Sequence, residues 1–118
     1  IFVNQLIHPV VRADFDRWCA EQHTALVFNE AAILFETGAY QQFDATVLVI
    51  APHELRMQRI MERDRCTVEQ AEARMKSQWS DEQKIPLATC IVMNDGTIPL
   101  LSQLEGVIVS LSTGKKVR

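Results

Sequence analysis

The stretch that decides the fold class is Ala45-Thr-Val-Leu-Val-Ile-Ala51, with the residues that follow it, Pro52-His-Glu-Leu-Arg-Met-Gln-Arg-Ile-Met-Glu-Arg63-Asp64. The first part is a continuous apolar run, which is typical of a strand covered on both faces of a parallel sheet. Pro52 follows the run and suits the first turn of a helix, and the helical pattern continues to about Arg63. The stretch therefore predicts a buried strand followed at once by a helix.

Two more apolar runs, residues 25–29 and 90–94, predict two more strands of the same buried kind. Because strands and helices alternate, we expect an α/β domain with a parallel sheet, flanked by helices and joined by right-handed crossovers. Three strands make a poor free-standing sheet, since the outer strands leave unpaired, apolar edges. We therefore expect the sheet to be incomplete and this chain to self-associate through an open sheet edge.

Local signals predict where the helices begin. His8-Pro9 places a proline at a first helical turn, and Thr67-Val-Glu-Gln70 is a capping box, in which two side chains satisfy free backbone donors. Ser80-Asp-Glu-Gln83 repeats the capping-box signal. Pro99 and the apolar residues after it predict a final helix, although residues 107–109 leave a strand open there.

The composition excludes several classes of protein. With 118 residues the chain forms at most one domain. The net charge of −3 provides no basic surface for nucleic acid, and no apolar run is long enough to cross a membrane. Three cysteines without paired spacing predict a reducing compartment, so we expect a cytoplasmic protein. Cys19 and His23 stand four apart on a helix, but no second pair completes a zinc site, so we expect no metal ligand among them.

The two ends of the chain carry their own expectations. The sequence begins at Ile1 rather than at Met and is already inside an apolar pattern, so we expect a segment upstream. The polar, basic residues 112–118 predict a flexible tail.

Arginines on two consecutive helices are the candidates for chemistry. Arg56, Arg59 and Arg63 are spaced by three and four residues, so they line one helix face. Arg74 lies on the next helix, with Gln78 one turn further on. Guanidinium groups bind phosphate oxygens in bidentate fashion, which favours a phosphate site. On spacing alone, a solvated charged face balanced by nearby glutamates is the favoured interpretation.

An ordered set of short motifs adds to this pattern, because the chain resembles the C-terminal part of dephospho-CoA kinases. The resemblance extends to about residue 111, and it is the order and separation of the motifs, rather than any single one, that is specific. The motifs are His8-Pro9, Ile33-Leu34-Phe35-Glu36, Thr46 to Ile50, Arg59 to Asp64, Ala71-Glu-Ala-Arg74-Met-Lys-Ser-Gln78 and Asn94-Asp95-Gly96.

The resemblance implies part of a P-loop kinase fold, similar to nucleoside monophosphate kinases, with a helical lid over about residues 64–84. It implies transfer of the γ-phosphoryl group of ATP to the ribose 3′-hydroxyl of dephospho-CoA with Mg²⁺, which gives coenzyme A and ADP. Arg59 would then lie against the adenine, Arg63 against phosphate, and the lid residue Arg74 would swing onto the phosphates. The ATP-binding and lid residues implied are Arg59, Arg63, Arg74, Gln78, Asn94 and Gly96.

The resemblance also implies an acceptor side and a missing half. Leu34, Phe35 and Glu36 would face dephospho-CoA from the end of a sheet strand. His8 would touch the acceptor side as well, with a helix cap as its alternative role. The Gly-rich phosphate loop and the magnesium ligands would precede Ile1, so we assign no catalytic residue and no metal ligand to this chain and expect it to be inactive alone.

The sequence departs from the family pattern at two places and leaves two alternatives open. Residues 29–32 replace an Asp-x-Pro segment, and Thr89-Cys90 replaces an acidic pair. One alternative is another small-molecule kinase of the same fold. The other is a non-catalytic nucleotide-binding or oligomer-forming module.

Overall fold

A computed structural model describes residues 2–113, with main chain only for residues 2–8. The contacts divide the chain into two units, residues 1–30 and residues 31–118, which are described separately. The first unit contains helix α1, and the second contains the sheet and the remaining helices. The elements are α1 (Phe2–Ala20), β1 (Val47–Ile50), α2 (His53–Asp64), α3 (Val68–Lys76), α4 (Asp81–Lys84), β2 (Cys90–Met93) and α5 (Leu100–Thr113), with short 3₁₀ helices at Ala39–Gln42 and Ile85–Leu87.

The first unit corrects the predicted start of the first helix. Helix α1 begins at Phe2, so Pro9 lies inside it and His8 does not cap it. A proline inside a helix removes one backbone donor, but its fixed φ is itself helical, which is why a helix can continue through it. Near the C-terminal end, the rings of Phe15 and Trp18 stack with their centroids 6.0 Å apart.

The predicted strand over residues 25–29 is wrong. The structure has no regular element there, and Phe28 is 60% exposed. An extended run becomes a strand only when a neighbouring backbone pairs with it, and in the described part of the chain the sheet contains only β1 and β2. The hydroxyl of Thr24 donates to the Leu26 carbonyl at 2.9 Å, a local bond of the kind that competes with strand pairing.

The second unit is built on one parallel strand pair, as the sequence predicts. Strands β1 and β2 align over four residues, from Val47 opposite Cys90 to Ile50 opposite Met93. Ahead of the pair, Thr46 N–H donates to the Thr89 hydroxyl oxygen at 3.0 Å, and Thr89 N–H reaches the Thr46 hydroxyl oxygen at 3.2 Å. Thr89, which stands where the family pattern has an acidic residue, therefore helps to fix the strand register.

Each face of this sheet carries an apolar cluster, although Val49, on the same face as Val47, is 57% exposed, so the continuous apolar runs are covered only in part. On one face Leu48 packs in a cluster with Phe35 and Ala88. On the other face Val92 packs in a cluster with Val107 of α5. Residues 107–109 lie in α5, so the predicted helix is confirmed and the strand alternative is wrong.

Both predicted capping boxes are confirmed. At the start of α3, Gln70 N–H donates to the Thr67 hydroxyl oxygen at 3.2 Å, and Thr67 N–H donates to Gln70 Oε1 at 3.0 Å. Ser80 and Gln83 make the same reciprocal pair at the start of α4. These capping boxes fix the residues at which α3 and α4 begin.

Helix α5 is tied to the end of β2 by one amide side chain. Gln103 Oε1 accepts from Met93 N–H at 2.7 Å, and Gln103 Nε2 donates to the Met93 carbonyl at 2.9 Å. The amide thus takes the place of a neighbouring strand for one residue. The helix continues to Thr113, so residues 112 and 113 are not part of a tail, and residues 114–118 lie outside the described range.

Replacing Gln103 with leucine tests this tie. The substitution leaves the Met93 N–H and carbonyl without their partner, so we expect the free energy of unfolding to fall by about 1–3 kcal/mol, measured by urea denaturation. The control is Glu105→Gln, an exposed substitution in the same helix. Equal losses in the two variants would contradict the role of the amide.

Candidate functional site

The candidate site lies at the carboxyl end of the two strands. Ile50 and Met93 stand opposite each other at this edge, and Asn94 N–H donates to the Ile50 carbonyl at 2.8 Å. Residues 94–97 leave the edge as a loop, and α2 begins at His53, three residues after β1 ends. Open α/β sheets bind ligands at this edge, where the connections after the strands meet.

Residues 94–97 are held in one conformation by Asp95. Its Oδ1 accepts from Thr97 N–H at 2.9 Å and from the Thr97 hydroxyl at 2.6 Å. These bonds, and the nearby Arg59 guanidinium, hold the pKa of Asp95 below the ordinary range of an aspartate. Gly96 has a φ of 83°, a left-handed conformation that strains residues with a Cβ, although nothing lies within 4 Å of the place where a Cβ would be.

The first of the predicted arginines reaches this loop. Arg59, on α2, donates from Nη1 to the Asn94 carbonyl at 2.7 Å. The structure thereby brings Arg59 and Asn94 together, two residues from Gly96. The main chain of the loop faces the arginine, so the side chain of Asn94 takes no part in this bond.

A second group of charges lies one helical turn further along α2. Arg63 donates from Nε to Asp64 Oδ1 at 2.9 Å and from Nη2 to Oδ2 at 3.0 Å. Arg74, on α3, donates from Nη1 to the same Oδ2. We call these three residues the Asp64 cluster. The hydrogen bond from Arg63 lowers the pKa of Asp64, the Arg74 charge adds to this, and Asp64 in turn raises the pKa of Arg63.

The Asp64 cluster is chemically an anion site whose anion is a carboxylate of the chain. Both guanidinium groups are exposed, so a dissolved anion can approach them. Phosphate oxygens accept guanidinium hydrogen bonds in the same geometry as carboxylate oxygens. A phosphate group can therefore replace Asp64 without leaving either arginine unpaired.

The row of arginines predicted on α2 does not act as one surface. Arg56 pairs with Asp81 of α4 at 3.5 Å, Arg59 bonds the loop after β2, and Arg63 joins the Asp64 cluster. Arg59 and Arg63 are exposed, so this part of the face is solvated, as the spacing alone favoured, whereas Arg56 is half-buried.

Gln78 follows α3 and is half-buried. Its backbone N–H donates to the Met75 carbonyl at 3.2 Å, which closes the last turn. The next backbone N–H, of Trp79, donates to Glu36 Oε2 at 3.2 Å. The chain after Gln78 thus contacts the segment that was predicted to face the acceptor.

That segment does not follow a strand, which corrects the expectation for Leu34, Phe35 and Glu36. Residues 32–38 form turns, because Gly38 N–H bonds the Phe35 carbonyl at 3.1 Å and Tyr40 N–H bonds the Leu34 carbonyl at 3.2 Å. Phe35 is 5% exposed and belongs to the core, and Leu34 is half-buried. The side chain of His8 lies outside the described residues.

Sequence reasoning missed two residues at this site. Asp64 was part of a motif but had no role, and its signal was its position directly after Arg63. Lys84 was missed altogether, because no local pattern around it in the sequence marks it as buried. Its Nζ lies 3.5 Å from Glu36 Oε2.

Two negative findings apply to the residues that the structure describes. Among the described side chains, residues 9–113, no group of three or more histidine, cysteine, aspartate or glutamate residues is arranged to hold a metal ion. Over residues 2–113, no helix has the length and apolar character to span a membrane.

The parallel strand pair and the helices that flank it define an α/β domain. A model of the dephospho-CoA kinase family matches residues 1–99, which is most of the chain. The chain therefore belongs to the dephospho-CoA kinase family.

Individual relatives agree with this assignment. The chain is 39% identical over 110 residues to the dephospho-CoA kinase of Bacteroides fragilis, covering 92% of this chain and 54% of the relative. It is 40% identical over 115 residues to that of Chlorobaculum tepidum, covering 94% and 55%. A crystal structure from Thermus thermophilus superposes with a TM-score of 0.84 at 30% identity, covering 92% of this chain and 57% of that one. The chain spans about half the length of the curated relatives that it matches.

The charges of the Asp64 cluster predict a titration that NMR can follow. Because the pKa of Asp64 is lowered in the fold, its charged contacts stabilise the protein above the unfolded-state pKa, and this contribution is lost as pH falls through the folded-state pKa. Arg63→Gln removes the largest cause of the lowered value. We therefore expect the carboxyl ¹³C titration midpoint of Asp64 to rise.

The matched control acts on Asp95, the other carboxyl group whose pKa is lowered. Thr97→Val removes a hydroxyl donor from Asp95, so the pKa of Asp95 should rise while that of Asp64 stays in place. If Arg63→Gln left the Asp64 midpoint unchanged, the bridging role of this carboxylate would be excluded.

Proposed function

We propose that the full-length protein transfers the γ-phosphoryl group of ATP to the ribose 3′-hydroxyl of dephospho-CoA, giving coenzyme A, the last step in its synthesis. The observation that carries this proposal is the convergence of Arg63 and Arg74 on one carboxylate, in a chain of the dephospho-CoA kinase family. Phosphoryl transfer depends mainly on positioning and on neutralising the charge of the phosphates, which is what two arginines on neighbouring helices provide.

On the ATP side, we propose that the phosphates replace Asp64 between Arg63 and Arg74. Arg74 lies on α3, inside the proposed lid of about residues 64–84, so its guanidinium group would move with the lid. Gln78 would close over the nucleotide from the same segment.

The adenine would lie beside the loop after β2. The left-handed conformation of Gly96 and the bond from Arg59 to the Asn94 carbonyl support a flat main-chain surface there. A missing side chain at position 96 lets the backbone approach a base closely.

On the acceptor side, we propose that His8 and the turns of residues 32–38, with Leu34, Phe35 and Glu36, contribute to binding dephospho-CoA. Mg²⁺, when bound, would neutralise charge on the phosphates. No residue of this chain is assigned to the ion. We also expect these 118 residues alone to be inactive. We further predict a cytoplasmic location. Association of copies through the outer edges of the sheet is a third prediction.

The test is ADP release from ATP and Mg²⁺, with and without dephospho-CoA, using the full-length gene product and this chain side by side. We expect release that depends on dephospho-CoA in the full-length protein only. Release with a different acceptor would identify another small-molecule kinase. A folded, inactive full-length protein would favour a non-catalytic nucleotide-binding or oligomer-forming module.

Arg74→Lys tests the proposed lid contact. Lysine keeps the charge but loses the planar fork, so we expect kcat to fall by about tenfold or more, with the KM for ATP changed less than about threefold. Lys76→Arg, a charge-preserving change in the last turn of the same helix, is the control and should leave both values unchanged. An unaltered kcat in Arg74→Lys would remove Arg74 from the mechanism.

A further inference from the structure

Glu36 and Lys84 form the most buried ion pair among the described residues. Lys84 Nζ lies 3.5 Å from Glu36 Oε2, and the two side chains are only 7% and 12% exposed. The other ion pairs of the second unit each have at least one side chain that is 28% exposed or more. A buried pair of this kind is costly to desolvate, so its two charges depend strongly on each other.

The carboxylate of Glu36 depends on very few donors. Oε2 pairs with the Lys84 ammonium group and also accepts a hydrogen bond from the Trp79 N–H at 3.2 Å. Oε1 is buried and has no hydrogen-bond partner among the described residues. Lys84 is thus the single cation paired with Glu36 in the described part of the chain, and no second one is available to take over its role.

The pair connects two segments that matter for the proposed reaction. Glu36 lies in the turns of residues 32–38, where the neighbouring Phe35 enters the core beside Ala88. Lys84 is the last residue of α4, and Trp79 precedes that helix. The ion pair therefore fastens the proposed acceptor segment to the end of the proposed lid.

We propose that Lys84 is a positioning residue for the acceptor substrate. It holds the Glu36 carboxylate in place, and the carboxylate in turn holds residues 32–38 in the conformation that binds dephospho-CoA. Glu36 contributes through this ion pair rather than by touching the acceptor, because its free oxygen is buried and its other oxygen is already paired. The inference rests on the proposed function and specifies how one of its sites is held.

Loss of the ammonium group explains why the effect should be specific to the acceptor. Without Lys84 a buried carboxylate lacks a counter-charge, which is strongly destabilising, and we expect the chain to relieve this by exposing Glu36 to water. That movement displaces residues 32–38. The Asp64 cluster and the loop after β2 do not bond to Glu36 or Lys84, so we expect ATP binding to change much less than binding of the acceptor.

The experiment compares Lys84→Met with the double variant Glu36→Gln/Lys84→Met in the full-length protein. Steady-state kinetics give the KM for dephospho-CoA and for ATP, and thermal unfolding gives the midpoint of each variant. The control is Arg56→Gln, which breaks the other ion pair of α4, formed with Asp81 at 3.5 Å, and leaves Glu36 and Lys84 in place.

We expect Lys84→Met to raise the KM for dephospho-CoA by at least about tenfold and to change the KM for ATP by less than about twofold. The double variant removes both buried charges, and neutral groups in place of a buried ion pair are well tolerated. Its KM for dephospho-CoA should return to within about threefold of the wild-type value, together with the unfolding midpoint. Arg56→Gln should leave both KM values unchanged.

Three results would overturn the inference. In an active wild-type protein, an unchanged KM for dephospho-CoA in Lys84→Met excludes the positioning role. A double variant that regains the unfolding midpoint but keeps a high KM shows that the charge of Glu36 or Lys84 acts on the acceptor directly, and this result excludes the positioning role even if Lys84→Met does not fold. A wild-type protein that does not phosphorylate dephospho-CoA rejects the proposed function first, and this inference with it.

Discussion

The parallel pairing of β1 and β2 is the constraint on which the second unit depends. Its register places Ile50 opposite Met93, so the connections after both strands leave from one edge. Because α2 starts three residues after β1, it places Arg59 beside the loop that follows β2 and Arg63 one helical turn further on. The pairing is short, and it is reinforced at its ends by side chains rather than by further strands. Thr46 and Thr89 bond across the start, and Gln103 bonds the backbone of Met93 at the end.

Two groups of paired charges, one at the surface and one in the interior, hold together the segments that surround the strands. At the surface, Asp64 pairs with the guanidinium groups of Arg63 and Arg74 and so holds the two arginines close together. In the interior, Glu36 and Lys84 fasten a turn segment to α4 with almost no exposure to water. The two pairs have opposite physical characters. The first is open to exchange with a dissolved anion, whereas the second resists separation because each charge would be left buried.

Local signals in the sequence were enough to predict most of the helices and the two strands β1 and β2. The capping boxes at Thr67 and Ser80 depend on four neighbouring residues, so their outcome is decided locally. Residues 25–29 show the limit, because an apolar run forms a strand only if a partner backbone lies beside it. The same holds for the site. The motifs indicated Arg63 and Arg74, but no local pattern encodes the pairing of Lys84 with Glu36, which lies 48 positions away in sequence.

The central claim is that Arg63 and Arg74 form the phosphate site, with Asp64 in the place of the phosphate. It is tested most directly by titrating the full-length protein with ATP and Mg²⁺ while the arginine Nε–H signals are followed by ¹⁵N NMR. We predict that the signals of Arg63 and Arg74 shift together and saturate with one affinity, while Arg56, which is paired with Asp81, stays in place. Saturable ATP binding that leaves the signals of Arg63 and Arg74 unmoved would contradict the account, because the phosphates would then be held elsewhere.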